Sequence, residues 1–134
     1  MRRATALAAF SLLLLSVQTV QAQSVDADPS FGTANLSEGF WPDPHPIELT
    51  AGGDIAVNKE GCDYGTVSQQ PDVVFNFTTS GATKFYIYVN SADDTTLLVH
   101  KDGDWRCGDD ELGGGDPLLE YPGAGGKYSI WVGT

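Results

Sequence analysis

Basic side chains are scarce in this sequence. Its 134 residues contain 7 Lys and Arg against 18 Asp and Glu, and the formal net charge at pH 7 is −11. Nucleic-acid binding requires Lys and Arg to neutralise phosphates, and anionic lipid headgroups would repel an acidic surface. The composition therefore argues against a nucleic-acid partner and favours cations or neutral molecules.

Recognisable catalytic motifs are also missing. The sequence contains no HExxH zinc motif, no Walker-type phosphate loop, no Rossmann glycine fingerprint and no Gly-x-Ser-x-Gly nucleophile turn. His45 lies between prolines and His100 lies at the end of an expected strand, which is more typical of surface residues than of general bases. Carboxylates suited to glycoside cleavage are abundant, but a domain of this size has little room for a deep cleft. We expect a protein without enzymatic activity.

The N-terminal residues have the pattern of a secretory signal peptide. Arg2 and Arg3 precede an apolar run over residues 4–17, and Val20-Gln21-Ala22 fits a small-residue cleavage site. The run is too short to span a membrane. We expect cleavage after Ala22, which removes residues 1–22 and leaves a secreted or periplasmic chain with no membrane span. The mature chain of 112 residues would carry a charge of −13, because both lost charges belong to arginines.

The mature chain is expected to form a single β-rich domain. All 16 glycines and all 7 prolines lie after residue 22, which disfavours long helices. A chain of about 110 residues can build one two-layer core. Residues 23–30 are polar and lack periodicity, so they are interpreted as a flexible leader to a domain over residues 31–134.

Eight short extended segments, each bounded by turn residues, predict an all-β fold. Their spacing is typical of an antiparallel β-sandwich with a jelly-roll-like topology. The glycines of residues 123–126 are interpreted as a hairpin connection between the last two strands. The predicted strands cover residues 31–36, 47–50, 54–58, 73–79, 84–90, 96–101, 118–121 and 128–133.

Alternating side chains indicate which strand faces are buried. Val73, Phe75 and Phe77 share one face of the fourth segment, and this face is the better candidate for the core. In the fifth segment, Tyr86 and Tyr88 alternate with aliphatic and aromatic residues. Either face of that segment could be the buried one.

The two cysteines predict a disulfide. Export would place Cys62 and Cys107 in an oxidising compartment, and a single pair allows only one intramolecular connectivity. The bridge would enclose 46 residues counting both ends, which the chain-entropy model values at about 4 kcal/mol of stability. A zinc or redox site is the alternative, but the sequence has no CxxC motif and its histidines show no recognised ligand spacing.

A group of acidic residues between positions 93 and 116 suggests a cation site. Eight of the 18 carboxylates lie within these 24 residues, and each close pair costs about 1 kcal/mol at 4 Å in water. A bound Ca²⁺ would offset this repulsion, and a loop rich in Asp and Gly, such as residues 102–111, can wrap around it. The spacing differs from that of an EF-hand, because Arg106 and Gly113 would occupy ligand positions. The candidate ligands are Asp93, Asp94, Asp102, Asp104, Asp109, Asp110 and Glu111.

Two other interpretations of these residues stay open. The carboxylates can be turn formers and solubilising groups on a solvated edge. The aromatic residues Trp105, Tyr86 and Tyr88 can instead form a platform on which sugar rings stack, which would make the domain a carbohydrate-binding module. Aromatic residues of a small sandwich also serve as core filler, and this role is favoured for Trp131.

Three segments of the sequence resemble a group of small secreted proteobacterial proteins. They are residues 91–99 (SADDTTLLV), 103–110 (GDWRCGDD) and 126–134 (GKYSIWVGT). These proteins in turn resemble the bacterial pre-peptidase C-terminal domain, a β-sandwich accessory module of secreted proteases. Residues 31–36 and 41–46 also fit, so the resemblance spans nearly the whole mature chain.

The resemblance implies a jelly-roll-like sandwich with a Cys62–Cys107 bridge and no catalytic machinery. It allows a serine-peptidase-associated protein, since relatives carry a peptidase label by association. It also implies an accessory role, with calcium, an extracellular polysaccharide or a protein as the partner. Applied residue by residue, the resemblance suggests five calcium ligands, namely Asp93, Asp94, Asp104, Asp109 and Asp110.

The sequence departs from the family pattern at two places. Asp63 stands where relatives are less charged, and the chain stops at Thr134 where the pattern continues into another strand. A missing edge strand would leave residues 128–132 at an open sheet edge, where a second copy could add a strand.

Overall fold

Nine β-strands and no helix make up the part of the chain that the structure describes. The structure is a computed structural model, and it describes residues 21–81 and 83–134. The predicted signal peptide therefore lies almost wholly outside the described residues. Within the described residues, no helix has the length and apolar character to cross a membrane. The strands are β1 (Thr33–Ser37), β2 (Ile55–Ala56), β3 (Thr66–Val67), β4 (Val73–Thr78), β5 (Phe85–Tyr88), β6 (Thr96–Lys101), β7 (Asp104–Gly108), β8 (Leu118–Tyr121) and β9 (Gly126–Gly133).

Five of the strands form the main sheet, in the order β1-β4-β9-β6-β7. Strand β1 runs parallel to β4, and the other neighbours are antiparallel. Strand β9 lies at the centre, with Ile130 opposite Val73 of β4 on one side and Val99 of β6 on the other. The expectation that residues 128–132 lie at an open edge is therefore wrong, because both sides of this strand are already paired.

One face of the main sheet is covered by the two-stranded sheet of β5 and β8, and their contact forms the principal core. Burial of the alternating apolar residues of β4 confirms the core face predicted from the sequence. In β5 the face with Phe85 is buried, so Tyr86 and Tyr88 point outward. The all-β sandwich with one disulfide is thus confirmed. The principal core consists of Val73, Phe75, Phe77, Phe85, Leu97, Val99, Leu119, Tyr121, Tyr128, Ile130 and Val132.

The opposite face of the main sheet is also covered. Trp131 of β9 is 0 % exposed and lies opposite Leu98 of β6, and Val67 of the short ribbon β2–β3 packs with them in a second cluster. Val25 packs on the same cluster, and the Ser24 N–H donates to the Gln69 carbonyl over 2.8 Å. Residues 23–30 were expected to be a flexible leader, but the structure places them against the body of the domain.

The hairpin of β6 and β7 corrects the prediction of one acidic loop over residues 102–111. Asp102 and Gly103 form its two-residue turn, with φ angles of 50° and 86°, and Lys101 pairs with Asp104. Both turn residues adopt the left-handed conformation that this type of hairpin requires, which Asp tolerates and Gly favours. The acidic stretch is therefore interrupted by strand β7, and its two halves lie at opposite ends of the hairpin.

Two other local expectations are wrong. Residues 47–50 form no strand, although Leu49 packs against the principal core, so this segment has apolar contacts without sheet pairing. Residues 123–126 are not a hairpin, because β8 pairs with β5 whereas β9 pairs with β4 and β6. The glycine-rich segment instead carries the chain from one sheet to the other.

A buried carboxylate joins the start of β4 to the end of β9. Asp72 is 2 % exposed, and its Oδ2 accepts a hydrogen bond of 2.7 Å from the Val132 N–H. Burial raises the pKa of Asp72, and the hydrogen bonds from Val132 and Ser68 oppose that rise. The raised pKa means that the charged form is less favourable in the folded chain than in the unfolded one.

Replacement of Asp72 by Asn is expected to change how stability depends on pH. In the wild type the cost of the buried charge is fully present above the folded pKa, and it disappears as the pH falls toward the unfolded value of 3.8. The free energy of unfolding of the wild type should therefore rise relative to that of Asp72→Asn between pH 7 and pH 4. Urea denaturation of both proteins across this range measures the difference, and a constant or opposite trend would contradict the assignment.

The disulfide joins β7 to the loop beyond β2. Cys62 and Cys107 are bonded with Cα atoms 5.8 Å apart and a sequence separation of 45. The Cys62→Ala/Cys107→Ala variant should lose up to about 4 kcal/mol in the free energy of unfolding, because the unfolded chain regains the entropy that the cross-link removes. Chemical denaturation in the absence of reductant provides the measurement. A variant as stable as the wild type would show that the bridge contributes nothing.

Candidate functional site

Three carboxylates meet at one end of the β6–β7 hairpin. Asp94 precedes β6, and Asp109 and Asp110 follow β7 directly. Because the two strands are antiparallel, with Leu97 opposite Gly108, the start of one lies beside the end of the other. One carboxylate oxygen from each Asp lies within 4.8 Å of the others. We call these three residues the carboxylate cluster.

The glycine-rich loop between β7 and β8 supports this cluster from one side. The Thr95 N–H donates to the Gly115 carbonyl over 3.0 Å. Gly115 has a φ of 87°, and a Cβ on it would lie 2.9 Å from the Asp94 Cα. Only glycine therefore allows the loop to approach this closely. The Asp116 Oδ1 accepts a 3.1 Å hydrogen bond from the Ser91 N–H, which fixes the chain ahead of Asp94.

Glu111 stabilises the same loop rather than joining the cluster. Its Oε2 accepts hydrogen bonds from the Asp109 N–H at 2.8 Å and from the Leu118 N–H at 3.1 Å. Burial by itself would raise the pKa of Glu111, but backbone N–H donors, led by that of Leu118, outweigh it and lower the pKa. The ionised side chain is therefore committed to closing the loop over residues 109–118.

No basic side chain among the described residues forms an ion pair with the cluster. Burial raises the pKa of Asp109, and the charges of Asp110, Asp94 and Glu111 add to the rise. The ion pairs among residues 21–81 and 83–134 join Lys84 to Glu120, Lys101 to Asp102 and Lys127 to Asp26, and none of them involves a member of the cluster.

Tyr64 lies beside the cluster, a position that was not predicted from the sequence. Burial raises the pKa of its hydroxyl, and the charge of Asp109 contributes next. The disulfide was the signal that pointed there. Cys62 stands two residues before Tyr64 and Cys107 two residues before Asp109, so bonding the cysteines brings both segments together.

The other predicted ligands lie elsewhere. Asp102 and Asp104 lie at the turn of the hairpin, roughly 17 Å along β6 from the cluster at the usual rise per strand residue. Asp93 is exposed and is not among the grouped carboxylates. With Glu111 bound to backbone groups, three of the seven predicted ligands are brought together.

The structure also separates the three aromatic residues that were expected to form one platform. Trp105 is half-buried and packs on Trp131, with ring centroids 5.4 Å apart, and the Lys59 ammonium lies 4.5 Å from its ring centroid. Tyr86 and Tyr88 lie on the outer face of β5 and are 52 % and 45 % exposed. Trp105 therefore contributes to the second cluster, whereas the tyrosines face solvent.

The cluster has the chemistry of a hard-cation site. Calcium takes six to eight oxygen ligands at about 2.3–2.6 Å and tolerates irregular geometry. Three Asp side chains supply carboxylate oxygens at short mutual distances, and water would supply much of the remaining coordination. A calcium ion held by so few protein ligands would bind in the weak range of extracellular calcium modules, with a dissociation constant on the order of 10⁻⁴–10⁻³ M.

The role of Glu111 in closing the loop can be tested by replacing it with Gln. The variant loses the charge that strengthens two backbone hydrogen bonds. We expect the free energy of unfolding to fall by about 1 kcal/mol, a figure that already allows for solvent screening of the exposed side chain. Because the pKa of Glu111 is lowered in the folded chain, this difference should be present above the usual glutamate pKa of 4.5 and fade as the pH falls further. Thermal and urea unfolding at pH 7 and pH 3 provide the comparison.

Comparisons with known proteins give no relative for this chain. No protein-family model matches it, and neither a curated protein nor a solved structure is significantly similar to it.

Proposed function

We propose that this chain is an exported, non-catalytic β-sandwich module that holds a calcium ion at Asp94, Asp109 and Asp110. In this proposal it acts as an extracellular or periplasmic accessory domain of the pre-peptidase C-terminal kind. The signal-peptide pattern and the disulfide support export, since disulfides persist in oxidising compartments.

The observation that carries the proposal is the grouping of three carboxylates within 4.8 Å. Mutual repulsion at such distances raises the free energy of the folded chain, and no ion pair with a described basic residue relieves it. The supporting loop depends on Gly115 and on the Glu111 hydrogen bonds, so the carboxylates are held in place. A divalent cation would convert this repulsion into stabilisation.

Calcium is expected to raise the thermal stability of the mature chain. A ligand at a hundredfold excess over its dissociation constant stabilises the folded state by about 2.7 kcal/mol, which is roughly 10 °C in the midpoint for a domain of this size. Calorimetric scans with 10–100 mM CaCl₂, which is a hundredfold excess for a dissociation constant on the order of 10⁻⁴–10⁻³ M, and with EGTA at the same ionic strength measure the shift. Identical midpoints in the two buffers would exclude calcium binding.

Asn variants locate the ion. Asp94→Asn and Asp110→Asn should each lose most of the calcium-dependent shift, because each removes a charged ligand. The matched control is Asp104→Asn, which makes the same change at the other end of the hairpin and should retain the shift. An equal loss in all three variants would mean that calcium acts through the overall negative charge and not through the cluster.

A further inference from the structure

We propose that the outer face of the β5–β8 sheet, which carries Tyr86 and Tyr88, binds a neutral polysaccharide by stacking of sugar rings on the two phenol rings. The inference rests on the proposed function only in treating the chain as a binding module. It uses none of the proposed cation ligands, because the tyrosines lie on the β5–β8 sheet and the carboxylate cluster lies at the end of the β6–β7 hairpin.

The backbone holds the two rings side by side. Tyr86 and Tyr88 are successive outward residues of one strand, so their Cα atoms are roughly 7 Å apart on the same face. Their inward neighbours Phe85 and Ile87 pack in or against the principal core and keep the strand in place. Two rings on a rigid strand present an amphipathic surface at low cost in side-chain entropy.

Polar groups surround the rings at positions suited to sugar hydroxyls. Glu120 stands opposite Tyr86 and Leu118 stands opposite Tyr88 on β8. The Lys84 ammonium lies 2.9 Å from the Glu120 carboxylate, and the Arg106 guanidinium donates to the Glu120 carbonyl over 2.6 Å. The face therefore combines apolar rings with both a donor and an acceptor that are already positioned.

The charge of this face favours a neutral ligand. Lys84 and Glu120 neutralise one another, and the hydrogen bond from Lys84 is the main cause of the lowered pKa of Glu120. The chain as a whole has a formal charge of −11, which would repel an acidic polysaccharide at low ionic strength. A neutral glycan avoids this repulsion.

The size of the face favours a glycan over a protein. The β5–β8 sheet consists of four residue pairs, and its outer face measures roughly 14 Å by 10 Å. A stable protein interface, in contrast, buries about 800 Å² on each partner. The paired face alone is therefore several times too small for a protein partner. An extended sugar chain needs only a narrow strip with aromatic contacts along it.

Affinity electrophoresis of the mature protein tests the inference, using gels that contain a mixed-linkage β-glucan, galactomannan or hydroxyethyl cellulose, and pull-down on insoluble chitin. We expect retention on at least one of these neutral polymers. Tyr86→Ala/Tyr88→Ala should weaken it by roughly tenfold or more, since each buried aromatic contact is removed. Tyr86→Phe/Tyr88→Phe should keep most of it, because the stacking surface remains.

Trp41→Ala is the matched control, because Trp41 is 88 % exposed and lies outside the two-stranded sheet. Its retention should equal that of the wild type, and thermal unfolding of every variant checks that the fold is intact. Absence of retention on all four polymers would overturn the inference, as would equal retention of the double Ala variant. Sedimentation equilibrium tests whether a second copy of the chain occupies the face instead. A dimer that dissociates in Tyr86→Ala/Tyr88→Ala would assign the face to self-association and would also overturn the inference.

All measurements are repeated in EGTA. Loss of the calcium-dependent shift in stability together with unchanged polysaccharide retention would refute the cation site and leave the stacking face standing. The reverse pattern would refute the stacking face alone.

Discussion

The structure depends on the central position of β9. This strand is paired on one side with β4 and on the other with β6, and its side chains divide between two cores. Tyr128, Ile130 and Val132 enter the principal core, while Trp131 enters the second cluster. With both edges paired and both faces covered, a polar substitution at any of these positions would leave an unsatisfied group in a dry interior.

Pairing of β6 with β9 also determines where the carboxylates lie. The register fixes β6 against the centre of the sheet, and the tight turn at Asp102 and Gly103 then fixes β7 against β6. The cluster is consequently held by the main sheet at its base, by the disulfide through Cys107 and by the loop around Gly115. Three separate constraints keep like charges together, and none of them depends on a bound ion.

Features that depend on local pattern could be predicted from the sequence. Alternation identified β4, and it gave the outward direction of Tyr86 and Tyr88 as one of two options. The role of core filler favoured for Trp131 is confirmed by its burial. The single cysteine pair gave the disulfide. Strand β7 was missed because the Asp and Gly residues on either side of it indicate a loop, although its own side chains alternate between polar and apolar and the Asp102-Gly103 dipeptide is a strong hairpin signal. Without β7, all seven predicted ligands could be assigned to one site, whereas the structure groups only three of them. Which side chains come together depends on strand register and not on distance along the sequence.

The order of the strands along the chain has a consequence for biosynthesis. Strands β4 and β6 are made before β9, yet they are joined into one sheet only when β9 is inserted between them. The emerging polypeptide can therefore form isolated hairpins such as β6–β7 but not its central layer until residues 126–133 have left the ribosome. In the export proposed above, the chain would therefore reach the membrane without its central layer until synthesis has passed β9.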